Sequence, residues 1–286
     1  MKKARRFTRR REGMMKSKRK PPVKLQRHCW NLSVVLQDVW QQSQKSVTNK
    51  DGVLFEWSDA AEWLELAAGV QKVDVLTGSF DQSLMFCGSA MDYEDARSEC
   101  LSMLAGQLTM FIFVWGAFET VGNMINPPSI PAALRKHGEN SLVDRVICLL
   151  RSEKPFPVYT RAFDCLNKII NRVPHYQRFR RSPPLPAFMG NTGVGIDFVR
   201  RIRNQFAHGA AKFPRPDDWG ENAATKPSVD ESIIGHCTLI TLFTIQMLLK
   251  QHFVGEALEV RGPDGEEADI HEVLETLHTG EADTGH

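Results

Sequence analysis

Two stretches of eighteen residues without a formal charge constrain the fold of this 286-residue chain more strongly than any other feature. Residues 101–118 and 232–249 are each long enough for a membrane span or for a central helix of a bundle. Polar residues interrupt both stretches, with Gln107 and Thr109 in the first and Gln246 in the second. These interruptions favour two central bundle helices, so we expect no membrane span.

The spacing of apolar residues predicts helices along most of the chain. The predicted helices cover residues 23–47, 58–70, 92–125, 141–152, 157–172, 191–209 and 230–253. Ser58 and Ser228 are predicted to cap the second and the last of these helices. Residues 53–57 are predicted to be a short extended segment, and the connection at 173–193, rich in arginine and proline, is predicted to be irregular. Because strands are so few, we predict an all-α fold, an up-and-down helical bundle.

Charge is distributed unevenly along the chain and suggests where its parts begin and end. Residues 1–27 hold 13 Lys and Arg with one acidic residue, which leaves 23 basic and 33 acidic residues elsewhere. We therefore predict a disordered basic extension at 1–22 and an N-terminal helical segment at 23–92. The main bundle is expected at 93–254, followed at 255–286 by a small acidic appendage with a short helix.

The N-terminus and the cysteines bear on cellular location. The first twenty residues lack the apolar region of a secretory signal, so we expect a cytoplasmic protein. The six cysteines include no C-x2–4-C pair, which argues against both a zinc finger and a disulfide framework. The histidines show no metal-ligand spacing, and we expect neither a metal nor another cofactor.

The segment RNQFAHG at residues 203–209 brings an arginine, an amide and a histidine together at the end of an amphipathic helix. The apolar side of this helix is formed by Ile196, Val199, Ile202 and Phe206. Arg200, Asn204 and His208, spaced four apart, form a stripe on the opposite side. Arg203 lies at the border of the apolar face, where burying a guanidinium costs free energy unless a carboxylate or phosphate binds it.

This segment resembles the signature of the HEPN superfamily, whose members carry an R-x4–6-H motif with a polar residue after the arginine. The apolar helix before the motif, Gly209 after it and the long helix at 230–253 strengthen the likeness. An aromatic segment on an upstream helix, FVWGAFE at 113–119, is similar to the first helix of such domains, so the resemblance covers residues 93–254. It implies a metal-independent endoribonuclease that works as a homodimer with two facing motifs.

The residue types of the motif suit RNA cleavage by the neighbouring 2′-hydroxyl. His208 can transfer protons near neutral pH, and Arg203 can stabilise the charge that develops on the phosphorane. Five helical residues place these two side chains about 140° apart, so a single helix serves one phosphate poorly and two facing copies serve it better. Asn204 can hold the imidazole or a phosphate oxygen, with Arg200 in support. Glu119 either orients Arg203, if it is buried, or faces solvent.

Arginines elsewhere provide candidate contacts to the RNA backbone. Those in the basic extension are Arg9, Arg10 and Arg11, and those in the connection are Arg178, Arg180 and Arg181 beside Phe179. A cation next to an aromatic ring can stack an unpaired base. The extension can equally be a solubilising tail, and the connection a solvated loop.

The first functional hypothesis is an endoribonuclease of toxin or phage-defence type that cuts single-stranded or tRNA-like RNA and is restrained by a neutralising or regulatory protein. Proteins resembling the mannitol-operon repressor family carry a similar arginine-asparagine…alanine-histidine segment. The second hypothesis is therefore a non-catalytic module that binds a partner protein or a nucleotide. A purely structural interpretation also exists, in which His208 interacts with the helix dipole and the arginines form a solvated basic face.

Overall fold

The computed structural model describes residues 24–81, 87–135, 138–179, 184–209, 213–216 and 228–278. The chain is mostly helical, with 66% helix and 5% strand, which confirms the predicted all-α character. The predicted basic extension at 1–22, with Arg9, Arg10 and Arg11, lies outside the described residues.

The helices lie close to their predicted positions. They are α1 Leu25–Ser43, α2 Trp57–Gly69, α3 Gly88–Ile125, α4 Leu142–Leu149, α5 Pro157–Asn171, α6 Pro174–Gln177, α7 Asn191–Ala207, α8 Val229–His252 and α9 Ile270–Thr276. Two short antiparallel hairpins join them. The first pairs β1 Ser46–Thr48 with β2 Leu54–Glu56, and the second pairs β3 Glu259–Arg261 with β4 Glu267–Asp269.

Helix α8 runs through the core and packs against α1, α3, α5, α7 and α9. Its most apolar eighteen-residue window is 78% buried, whereas the corresponding window of α3 is 39% buried. By length and composition alone, both helices could cross a membrane, and a core helix of a bundle satisfies the same criteria. The two helices therefore differ in role, because α8 is enclosed by its neighbours and α3 keeps an open surface.

Side chains at the helix ends explain where several helices begin. Ser228 accepts a hydrogen bond from the backbone N–H of Glu231 at 3.1 Å, as its predicted capping role requires. The prediction for Ser58 was wrong, because α2 begins one residue earlier and is capped by Glu56 in a reciprocal arrangement with Asp59. At the end of α7, Gly209 adopts a φ of 65°, the left-handed conformation that stops a helix.

The connection at 173–193 is less irregular than predicted. It contains the short helix α6, whose Tyr176 is buried and donates its hydroxyl to the carboxylate of Asp230 at the start of α8. Proline at the first helical position favours such a turn, because its φ is already helical and its missing N–H is not needed there.

The described part of the C-terminal segment contributes to the core, since Ile270, Leu274 and Leu277 are fully buried. Polar contacts also tie it to helices α1 and α8. They are Arg261 to Asp38 at 2.6 Å, Asn31 to the carbonyl of Leu277 at 3.3 Å and Gln246 to the carbonyl of Leu274 at 2.9 Å. His28 on α1 lies 2.7 Å from Gln246 on α8, so α1, α8 and α9 are held by one buried polar network.

Candidate functional site

Helix α7 positions the predicted site. Its apolar residues Ile196, Val199 and Ile202 are fully buried, and Phe206 in the last turn is half-buried. This packing fixes the rotation of the helix about its axis and turns the last polar residues outward. The apolar face was predicted correctly, and the motif lies where that face approaches the protein surface.

Arg200 and Arg201 are both engaged by the carboxylate of Asp197, which is only 2% exposed. Arg200 donates through Nη2 to Asp197 and through Nη1 to Asp144 Oδ1 on α4 at 2.8 Å, while Arg201 Nε lies 3.1 Å from Asp197 Oδ2. Arg200 is therefore not part of a freely exposed stripe, as the sequence suggested, but joins α7 to α4. The sequence analysis did not identify Asp197, although its position three and four residues before Arg200 and Arg201 was an available signal.

This network has balanced charge, with two guanidinium groups and two carboxylates. Burial lowers the pKa of Arg200, but the negative charges of Asp197 and Asp144 outweigh burial, so the net pKa is raised. The charges of Arg200 and Arg201 are thus matched within the protein by Asp144 and Asp197. The contact of Arg201 is through Nε, and its side chain is 30% exposed, so part of its guanidinium remains at the surface.

Arg203 differs from these two neighbours, because no carboxylate in the described part of the chain forms an ion pair with it. Its guanidinium lies over the ring of Trp115 on α3, 5.9 Å from the centroid, and Nη1 is 3.5 Å from Oδ1 of the adjacent Asn204. The side chain is half-buried and Asn204 is exposed. Within the described part of the chain, Arg203 is the arginine of α7 whose charge no carboxylate neutralises.

Glu119 is linked to Arg203 only through Trp115. The indole Nε1 of Trp115 donates to Glu119 Oε1 at 2.7 Å, and the guanidinium of Arg203 lies over the same ring system. Glu119 is exposed and forms no ion pair with Arg203. The buried ion pair considered for these residues is therefore not observed, and the solvent-facing alternative is the arrangement found.

Trp115 is a site residue that sequence analysis placed only within an aromatic segment. It is 5% exposed and lies between Phe111 and Phe118, with ring centroids 6.1 and 5.0 Å away. A ring held in this way is a rigid support for a cation. The spacing of Trp115 and Glu119, four residues apart on one helix, was the available signal for their hydrogen bond.

His208 is the residue at which α7 ends. Its backbone N–H donates to the carbonyl of Asn204 at 3.0 Å, and its imidazole is exposed without a side-chain hydrogen bond to any described residue. The ring is therefore accessible to a ligand. The structure brings Arg203, Asn204, Trp115 and Glu119 into one chain of contacts, with His208 one turn further along the surface.

The second group of predicted RNA contacts is only partly described. Arg178 is exposed and lies over the ring of Phe179, 4.8 Å from the centroid, while Phe179 packs against Tyr176 at 6.0 Å. The face of Phe179 that could stack a base is thus covered by Arg178 itself. Arg180 and Arg181 lie outside the described residues.

The exposed groups at the end of α7 provide one uncompensated guanidinium, one amide and one accessible imidazole. These groups can bind an anion through charge-assisted hydrogen bonds. The chain matches no protein-family model, no curated protein and no solved structure at a significant level.

Proposed function

We propose that this protein is a metal-independent endoribonuclease of toxin or phage-defence type, with a site built from Arg203, Asn204 and His208. The observation that carries the proposal is the difference among the arginines of α7. Asp197 and Asp144 neutralise Arg200 and Arg201, whereas Arg203 has no carboxylate partner in the described structure. An uncompensated guanidinium and an accessible imidazole at the end of one helix suit a phosphodiester better than a purely structural helix end.

The reaction assigned to these residues is attack of the 2′-hydroxyl on the adjacent phosphorus. One imidazole takes the proton of the 2′-hydroxyl, a bond forms between O2′ and phosphorus, and the bond to O5′ breaks. A second imidazole protonates the departing O5′, which leaves a 2′,3′-cyclic phosphate and a free 5′-hydroxyl. Arg203 stabilises the extra negative charge of the phosphorane, and Asn204 hydrogen-bonds a phosphate oxygen or the imidazole.

Two histidines are needed for this sequence, and each chain contributes His208 alone. A second copy facing the first across a two-fold axis would supply the second imidazole and the second guanidinium. The exposure of Asn204 and His208 leaves this surface accessible to such a copy. We therefore propose a homodimer whose cleft receives single-stranded or tRNA-like RNA, restrained in the cell by a regulatory protein.

The same surface supports a second function. The Nη1 of Arg203 is 3.5 Å from Oδ1 of Asn204, so this guanidinium and amide form an exposed pair that could hold a phosphate without reacting with it. A non-catalytic module that binds a nucleotide or a partner protein would use these two residues and would not need the imidazole of His208.

Induced expression of the wild type beside an Arg203→Ala, His208→Ala double variant separates the two functions. We expect the wild type to slow growth and fragment cellular RNA on denaturing gels, and the double variant to do neither. Arg172→Ala, an exposed cation at the end of α5, is the matched control and should behave like the wild type. Equal growth and intact RNA for wild type and double variant would favour the non-catalytic module.

A further inference from the structure

Helix α3 carries an apolar stripe that the described part of the chain leaves partly open. Its members follow one another at intervals of four, three and four residues, and they are Leu101, Ala105, Leu108 and Ile112. The first three are partly exposed, and Ile112 is 59% exposed. This spacing is that of the contact seam of a coiled coil, so the four side chains share one face of the helix.

The stripe continues at the same spacing to a cation at one end and a carboxylate at the other. Arg97 lies one turn before Leu101, and its side chain is 42% exposed even though it pairs with Glu94 at 3.4 Å. Glu119 lies two turns after Ile112, is exposed and forms no ion pair with a described residue. An exposed pair such as that of Arg97 contributes little, so this guanidinium can still bind a second carboxylate.

Between Ile112 and Glu119, a tryptophan of α2 extends the apolar surface. A Cβ at Gly116 would lie 2.8 Å from the ring of Trp63, so this ring covers the glycine. Trp63 also packs against Phe113, with ring centroids 5.9 Å apart, and it remains exposed. The stripe is therefore apolar from Leu101 to the Trp63 ring, and large aromatic side chains in such positions are typical of interface centres.

The stripe is complementary to a second copy of itself. When two α3 helices pack antiparallel about Leu108, Arg97 of each copy faces Glu119 of the other, because the two residues lie equally far on either side of Leu108. In the same register, small Ala105 faces large Ile112. A two-fold contact forms each of these interactions twice. A parallel arrangement would instead place like charges together at both ends.

The direction of α7 relative to α3 brings the motif toward the middle of the stripe. The start of α4, which binds Arg200, packs against Gly122 near the end of α3. Arg203 lies over Trp115, about two turns nearer the middle of α3. Helix α7 therefore advances toward Leu108 as it approaches its end, and His208 is five residues further along it.

We propose that this stripe is the two-fold interface of the homodimer, with α3 of one chain packed antiparallel on α3 of a second copy about Leu108. The proposal depends on the homodimer of the proposed function and adds the surface and the position of its axis. The contact extends from Arg97 to Glu119, about 33 Å along the helix. The occupant is a second copy because the charge at each end of the stripe is complementary to the charge at the opposite end of the same stripe.

Light scattering on full-length proteins tests the interface. The wild type should have the mass of two chains and Ile112→Asp that of one, because the new carboxylate would be buried against Ala105 of the other copy without a cation. Val254→Asp, at an exposed apolar residue after α8, is the matched control and should stay dimeric. Circular dichroism should show the wild-type helix content for both variants, since both positions are exposed. A monomeric wild type, or a dimeric Ile112→Asp protein, would overturn the proposal.

Charge reversal tests the antiparallel register. Arg97→Glu and Glu119→Arg should each weaken dimerisation about tenfold or more, because like charges would then face each other. The double variant with both changes should recover most of the wild-type affinity in analytical ultracentrifugation. A double variant that dimerises no better than the weaker single variant would refute this register.

The interface can be tested separately from RNA cleavage. The Arg203→Ala, His208→Ala protein should keep the mass of two chains, because neither residue belongs to the stripe. A dimeric wild type that cleaves no RNA would refute the proposed function and leave the interface supported. An Ile112→Asp protein that is dimeric and cleaves RNA would refute the interface and leave the proposed function supported.

Discussion

The guanidinium of Arg203 lies over the indole ring of Trp115, 5.9 Å from its centroid, so a residue of the proposed catalytic motif rests on the central helix α3. The indole is itself oriented by its hydrogen bond to Glu119 at 2.7 Å. Trp115 and Glu119 are therefore positioning residues for Arg203. They fix the location of the Arg203 charge and do not neutralise it.

Replacing each arginine by alanine should separate catalysis from stability. Arg203→Ala should abolish RNA cleavage and lower the free energy of unfolding by at most about 1 kcal/mol, the value of one exposed cation–π contact. Arg200→Ala should lower it by about 1–3 kcal/mol, because Asp144 and buried Asp197 lose a charged partner. Urea denaturation and cleavage assays on both proteins check this. Equal losses of stability would mean that Arg203 contributes as much to the stability of the fold as Arg200 does.

Mixing wild-type and His208→Ala chains tests whether the site is shared between copies. Because the proposed cleft needs one imidazole from each chain, a mixed dimer should be inactive. After subunit exchange at equal amounts, about a quarter of the dimers are wild type, so the activity of the wild-type chains should fall to about half. A site complete within one chain would lose no activity. Light scattering should show a mass of two 32.4 kDa chains.

Cleavage should persist in EDTA, because the proposed mechanism takes its charge stabilisation from Arg203. An RNA with a 2′-deoxy nucleotide at the cut site should resist cleavage, since the nucleophile is missing. Products should carry a 2′,3′-cyclic phosphate, which mass spectrometry identifies. Activity that disappears with EDTA and returns with Mg²⁺ or Mn²⁺ would contradict this mechanism.

The basic extension should contribute affinity and not chemistry. If six of its cations bind phosphates of single-stranded RNA, the logarithm of the binding constant should decrease with the logarithm of the salt concentration, with a slope of about −4. Deleting residues 1–22 should flatten this slope and raise KM, with kcat nearly unchanged. His208→Ala should preserve the slope and lower kcat about a hundredfold or more. The opposite pattern would move the catalytic site to the extension.

Acid should destabilise the protein through His28. Burial lowers the pKa of this residue from 6.5 to about 4, so the unfolded chain takes up its proton first as pH falls. The associated stability is fully present above pH 6.5 and is lost as pH falls through 4, and the difference amounts to about 3 kcal/mol. His28→Gln should reduce this loss in urea denaturation between pH 4.5 and 7.5. The His208→Gln variant, at an exposed histidine, should lose stability in acid as the wild type does. Parallel curves of stability against pH for His28→Gln and the wild type would refute the assignment to His28.

The sequence was informative wherever a feature repeats along one helix. Periodicity predicted the buried face Ile196, Val199 and Ile202, and glycine chemistry predicted the end of α7. The partners of the arginines could not be predicted in the same way. Asp197 stands three and four residues before Arg200 and Arg201, and this spacing was an available signal for their ion pairs. The contact of Arg200 with Asp144 on α4 and that of Arg203 with Trp115 on α3 join different helices, so local spacing could not predict them.

The hydrogen bond between His28 and Gln246 joins positions 218 residues apart, so the two groups are synthesised at very different times. At a translation rate of 5–20 residues per second, Gln246 follows His28 by roughly 10–40 s. During that interval α1 can already pack against α2, which contacts it more extensively than α8 does, but His28 and Asn31 lack their partners Gln246 and Leu277. The packing of this polar network is completed only after translation of α8 and α9.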